Sequence, residues 1–139
     1  MTAAPDHTLD ASDPHVHYSW SNAHAPVLTV DPGDVVRFEC RDAVDGALSP
    51  ASTIEDVTAR AFPGHPLTGP VAVEGAEPGD VLAVELLDFE HHGSGVTYFY
   101  PGEREQGLLH DQFPEGALYW WDLDGDVGHF VDGIEVPLD

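Results

Sequence analysis

Two carboxylates three residues apart, Asp42 and Asp45, stand where an alternating strand pattern runs out, at Arg41-Asp42-Ala43-Val44-Asp45-Gly46. A pair at a strand's exit has the chemistry to hold a metal or to divide acid and base work. The same residues equally describe an Asx-type turn with Asp45-Gly46 at its corner. Further along, His65-Pro66-Leu67-Thr68-Gly69-Pro70 puts an imidazole in a loop stiffened by prolines. A neutral His65 suits metal ligation or general-base work; a packed or capping loop histidine fits the same segment. By spacing alone, Asp45 and His65 amount to a possible His/Asp site beside the plainer turn and loop readings.

Other groupings are weaker. His15-x-His17 on a strand would place both imidazoles on one face, a two-nitrogen start for a metal site; a solvated pair beside a loose tail is the plainer account. His91-His92 would point to opposite faces. Asp122-x-Asp124-x-Asp126 has the spacing of a calcium loop, but Val127 stands where that loop needs glycine and Gly133 where it needs its bidentate Glu. It reads as an acidic turn. Cys40 falls in the apolar phase of Val36, Phe38 and Cys40, which predicts a buried structural thiol rather than a nucleophile. No phosphate cradle, Gly-x-Ser-x-Gly elbow or Cys-x-x-Cys pair occurs.

These residues need a frame, and a repeated phrase supplies it. Residues 30–39 read Val-Asp-Pro-Gly-Asp-Val-Val-Arg-Phe-Glu, and residues 76–85 read Ala-Glu-Pro-Gly-Asp-Val-Leu-Ala-Val-Glu. Each predicts a turn followed by a strand: proline sets φ, glycine takes positive φ, and aspartate bonds the turn backbone. Strands are expected at Val16–Trp20, Val27–Val30, Val35–Arg41, Val71–Glu74, Val81–Phe89, Val96–Tyr100, Leu118–Leu123 and Phe130–Val136. Only Pro50–Ala61 looks helical, with Ser49 or Ser52 as N-cap. The expected fold is mostly β, a sandwich or barrel-like body with hairpin repeats and at most one or two short helices. Residues 1–14 read as a loose tail and 15–139 as one β-rich domain.

The chain carries 26 acidic residues against four arginines and no lysine, a net charge of −22. That balance repels nucleic acid and anionic membrane surfaces. It suits a salt-adapted cytoplasmic protein, because in molar salt the Debye length falls to about 3 Å and surface carboxylates repel one another weakly. A lone cysteine excludes an intrachain disulfide and fits a reducing compartment. No stretch is long enough to span a bilayer as a helix, and the N-terminus lacks a signal peptide's pattern.

Taken together, His17-Tyr18-Ser19-Trp20, the run from Pro26 to Asp45-Gly46, and His65-Pro66-Leu67-Thr68-Gly69-Pro70 continuing to Glu74-Gly75-Ala76-Glu77-Pro78-Gly79-Asp80-Val81-Leu82 resemble the acetamidase/formamidase family. The resemblance covers most of residues 15–138 and is least characteristic from His91 to Gly116. It implies a β-rich fold and hydrolysis of short linear amides to a carboxylate and ammonia, with a divalent metal in some members; joined to the spacing, the resemblance makes Asp45 and His65 the candidate catalytic pair and the candidate ligands for a divalent metal, zinc or calcium. It also implies a longer protein, whose second half carries further His- and Asp-bearing motifs. A homo-oligomer or a complementing second chain is accordingly expected, as is an exposed apolar edge. The alternative is a noncatalytic β module that docks with a partner chain.

Overall fold

The computed structural model describes residues 4–61, 63–104 and 107–138. Both copies of the repeated phrase form the same local turn. The Asp34 N–H donates to the Asp31 carbonyl at 3.1 Å, while the Asp31 N–H donates to Asp34 Oδ2 at 3.0 Å. Asp80 and Glu77 reproduce both bonds, at 3.0 and 2.8 Å. Gly33 and Gly79 take φ of 97° and 107°, which only glycine adopts without strain. These turns close on contacts within four residues, so sequence alone is enough to make them.

The chain divides into two compact units, residues 1–47 with 61–88 and residues 48–60 with 89–139. In the first unit the strands are β1 (His7–Leu9), β2 (Val16–His17), β3 (Leu28–Val30), β4 (Val36–Phe38), β5 (Leu67–Thr68) and β6 (Val71–Val73). They form three pairs: β1 with β4 and β3 with β6 are parallel, and β2 with β5 is antiparallel. The repeated turns are therefore not hairpins. The first carries the chain from β3, which pairs with β6, into β4, which pairs with β1. Among the described residues, Leu9, Val30 and Val44 are the buried apolar side chains of this unit.

The second unit holds α1 (Ile54–Ala59) and the strands β7 (Ser94–Phe99), β8 (Ala117–Asp124), β9 (Val127–His129) and β10 (Glu135–Pro137), an antiparallel meander in the order β10-β9-β8-β7. Trp121 stacks on Phe130 with centroids 4.3 Å apart, and its indole N–H donates to Thr97 Oγ1 at 3.0 Å. Val57 of α1 is 1% exposed. Two arginines tie backbone to ring: Arg60 donates to the Tyr98 hydroxyl at 2.7 Å, and Arg104 lies over the Tyr100 ring while donating to the Thr58 carbonyl at 2.6 Å.

The fold is mostly β, as expected, with one α-helix and three 3-10 turns, at Asp13–His15, Gly102–Arg104 and Val131–Gly133; no sheet closes among the described residues. Several particulars differ from expectation. Residues 7–9, expected in a loose tail, form β1, and Leu9 is only 4% exposed. Pairing with β4, burial of Leu9, and bonds from the Val35 N–H to Asp6 and from His7 to Asp34 together order the segment. The helix starts at Thr53 rather than Ser49 or Ser52, because Asp56 can accept from the Thr53 N–H at 2.8 Å, the reciprocal half of a capping box. The expected strand Phe130–Val136 is interrupted by the 3-10 turn at Val131–Gly133. No ladder among the described residues includes 81–89, although the turn before it is formed. A strand, unlike a turn, exists only by pairing with another. Residues 1–3 and 139 lie outside the described residues. Among those described, no helix is long and apolar enough to cross a membrane.

Candidate active site

Asp42-Ala43-Val44-Asp45-Gly46 forms the expected Asx-type turn. The Asp42 carboxylate accepts from the Val44 N–H at 2.7 Å and the Gly46 N–H at 3.0 Å, so Asp42 serves the turn itself. Asp45 and Gly46 both adopt left-handed backbone, φ 55° and 68°. Aspartate tolerates this region better than most residues. Buried Val44 pins the turn from beneath, while the Asp45 side chain faces two donors.

Those donors are Tyr18 and Arg41. The Tyr18 hydroxyl donates to Asp45 Oδ2 at 2.5 Å, and Arg41 Nη1 donates to Asp45 Oδ1 at 3.2 Å. Arg41 also donates to Asp13 Oδ1 at 2.5 Å and, through Nε, to the Ala11 carbonyl at 2.8 Å. The Tyr18 hydrogen bond, followed by the Arg41 charge, holds the Asp45 carboxyl below the usual aspartate range. The same bond raises the Tyr18 phenol, which would have to ionise beside a carboxylate. Asp45 is thus a fixed anion at neutral pH and a weak base.

His65 approaches the same turn. Its Nδ1–H donates to the Ala43 carbonyl at 3.1 Å, which places the imidazole lone pair on Nε2 in the neutral ring. The loop that follows is held along its length. Leu67 and Thr68 pair with β2, Thr68 Oγ1 donates to the Glu39 carbonyl at 2.8 Å, and the Gly69 N–H donates to the His15 carbonyl at 2.9 Å. Gly64, just before His65, has φ 124°, and a Cβ there would lie 2.5 Å from the Tyr18 carbonyl oxygen. Glycine at this position lets the His65 loop and the Tyr18 backbone, just after β2, meet.

Other expected sites are dispersed. His15 lies in the 3-10 turn and donates to Asp10, whereas His17 lies in β2 and stacks on His24 at 4.4 Å, so the two do not share a face. The period-two argument fails because the chain is not extended at His15. His91 accepts from the Gly93 N–H and donates to the Gly125 carbonyl, a structural role. The Asp122–Asp126 segment is the β8–β9 hairpin end, as its failed calcium pattern predicts. Cys40 is exposed rather than buried: β4 ends at Phe38, itself 45% exposed, two residues before it. Cys40 instead lines an open hollow of about 710 Å³ with His17, Trp20, Pro66, Leu67 and Thr68. The imidazole on the wall of that hollow is His17; neither Asp45 nor His65 lines it.

A tetrahedral zinc site needs three or four protein donors and calcium needs six or more oxygens. Among the described residues no group of three or more His, Cys, Asp or Glu gathers. Asp45 and His65 by themselves do not make a complete site for either ion. Sequence reasoning missed Tyr18 and Arg41 as the groups that fix Asp45. The available signal was scarcity: with four cations against 26 acids, each arginine has many acidic neighbours to choose from, so its choice of partners is structural information.

Comparison with known proteins adds what the geometry alone does not. The pattern of the Acetamidase/Formamidase family matches residues 3–137. A formamidase from Methylophilus methylotrophus is 35% identical over 119 residues, covering 81% of this chain and 29% of that protein. An acetamidase from Mycolicibacterium smegmatis is 32% identical over 144 residues, 93% of this chain and 36% of that protein. Among solved structures, a gamma lactamase from Delftia acidovorans superposes with a TM-score of 0.85 at 30% identity, covering 94% of this chain and 36% of its own. The chain therefore spans about a third of the length of the relatives it matches.

Proposed function

The chain belongs to the acetamidase/formamidase family, and from that premise we propose that it forms the N-terminal part of an amidase that hydrolyses short linear amides to a carboxylate and ammonia. The observation that carries the proposal is the family match over nearly the whole chain. The relatives' names supply the substrate class, formamide and acetamide.

An amide carbonyl is a poor electrophile, so its hydrolysis needs a polarised oxygen and an activated water. His65 is the proposed base. Its Nδ1–H is held by the Ala43 carbonyl, and in that tautomer the basic atom of the neutral ring is Nε2. Asp45, held ionised by Tyr18 and Arg41, is the proposed fixed anion that keeps the turn and its charge in place. The described donors do not complete a metal site, so no step here runs through one. In this proposal, the groups that polarise the carbonyl, including any zinc or calcium with its remaining ligands, come from the two thirds of the family's length that this chain does not span.

The test is ammonia release from formamide and acetamide in molar salt, using a protein completed with that remaining length. Turnover is expected, with His65→Ala and Asp45→Ala each lowering it at least a hundredfold. A completed, folded protein with no turnover, or one indifferent to both substitutions, removes the proposal. A second reading, a noncatalytic β module that docks with a partner chain, is favoured by the share of the relatives' length covered. Completed protein that assembles but releases no ammonia would support it.

A further inference from the structure

The repeated phrase makes one strand and one orphan. After the first turn, residues 36–38 become β4 because β1 lies alongside. After the second, residues 81–87 join no ladder among the described residues. Their composition is nonetheless that of an interior strand. Leu82, Val84 and Leu86 alternate with Val81, Ala83, Glu85 and Leu87, so both faces are largely apolar. Strands buried on both faces read this way, and edge strands do not. Yet Val81, Leu82, Val84 and Leu86 are 94, 67, 71 and 73% exposed. An exposed segment of this apolar pattern, outside every ladder among the described residues, is the kind of surface that protein folding ordinarily removes.

We infer that residues 81–87 are a docking strand for the remaining two thirds of an acetamidase/formamidase polypeptide, which pairs with the segment's edges and covers both faces. The inference deepens the function proposed above by naming the surface through which the protein is completed. The length argument identifies the occupant: the relatives carry about twice as much further chain as is present here. A body of that size is large enough to cover two faces and two edges at once. A second copy fits poorly. Antiparallel self-pairing centred on Val84 sets Asp80 against Asp88 at both ends, and each partner has a net charge of −22.

The test compares two proteins in molar potassium chloride. One is this chain alone. The other is this chain joined to the part of the Methylophilus methylotrophus formamidase that lies beyond its match, so that linkage supplies the effective concentration. Amide hydrogen exchange is read at residues 81–87. Exchange at least a hundredfold slower in the joined protein is expected. The double substitution Leu82→Asp with Leu86→Asp is expected to reverse that protection, while protection at β3 and β6 is unchanged, because these side chains are exposed in the chain alone. Exchange at 81–87 as fast in the joined protein as in the chain alone overturns the inference. So does protection that appears in the chain alone and grows with its concentration, which would assign the surface to a second copy. The amidase proposal fails separately: protection without ammonia release removes the activity and keeps the docking strand, and ammonia release without protection does the reverse.

Discussion

Gly64→Ala tests how the site is held together, and its size follows from the structure. Two costs apply. A non-glycine residue forced into strongly positive φ costs about 1–3 kcal/mol, and φ here is 124°. The added methyl would also stand 2.5 Å from the Tyr18 carbonyl oxygen, where ordinary contact begins near 3.4 Å. That oxygen is backbone, so the two segments must separate rather than a side chain swing aside, at roughly another 1–3 kcal/mol. Gly33→Ala is the matched control, because its φ is 97° and nothing lies within 4 Å of the new methyl. It carries the torsional cost without the collision. Urea unfolding at fixed salt should therefore show Gly64→Ala losing about 2 kcal/mol more than Gly33→Ala. Near the melting temperature that excess corresponds to a further drop of roughly 10 °C for a unit of this size. Because the strain falls between Tyr18 and His65, the Gly64 variant should also shift the Tyr18 and His65 ring resonances, and the Gly33 variant should not. Equal losses in the two variants, or an unshifted Tyr18 ring, would refute the close approach as the element that joins the two segments.

Acid should weaken the first unit over a defined window. Asp10 is held down to about 2 by Ser12 and then His15, Asp34 is lowered by His7, and Asp45 by Tyr18 and then Arg41. Groups with depressed folded pKa values contribute stability above the unfolded value of 3.8, and that contribution is lost as pH falls through the folded values. Unfolding midpoints measured in molar salt should drop between about pH 4 and pH 2; a flat profile there would contradict the three anchors. Tyr18→Phe removes the largest cause of the Asp45 shift, so the Asp45 carboxyl should titrate higher by NMR, and an unchanged titration would show that the bond does not form in solution. Val57→Ala removes two buried carbons from α1, worth about 2 kcal/mol with the cavity left behind, and a loss below 0.5 kcal/mol would mean that α1 relaxes to fill the gap. With a net charge of −22, the melting temperature should rise between 0.1 and 2 M potassium chloride and rise less when sucrose replaces the salt; a salt-insensitive melt would argue against salt adaptation.

Local features were legible because their causes are local. Pro-Gly-Asp at 32–34 and 78–80 makes its turn from bonds among four residues, and Asp42 closes the 42–46 turn in the same way. The long aromatic strand at 117–124 was also readable, since its run of apolar and aromatic residues marks it whatever lies beside it. The family was legible for a related reason, because motifs such as His65-Pro66-Leu67-Thr68-Gly69-Pro70 are carried in the order of the residues. Pairing was not legible. Nothing in Val35–Arg41 says that its neighbour will be His7–Leu9, a segment that reads as tail, or that the equally strand-like Val81–Phe89 will join no ladder among the described residues. Burial of Cys40 was misjudged for the same cause: phase along a strand tells which residues share a face, but only another layer decides whether that face is inside. The site shows the same division. Residue order is enough to put a carboxylate at 45 and an imidazole at 65 on stiff loops. It takes the folded chain to tie both to one turn and to bring Tyr18 and Arg41 to the carboxylate that they hold ionised. Those bonds join residues far apart in the chain, and distance along the chain carries no information about distance in space until the backbone has folded.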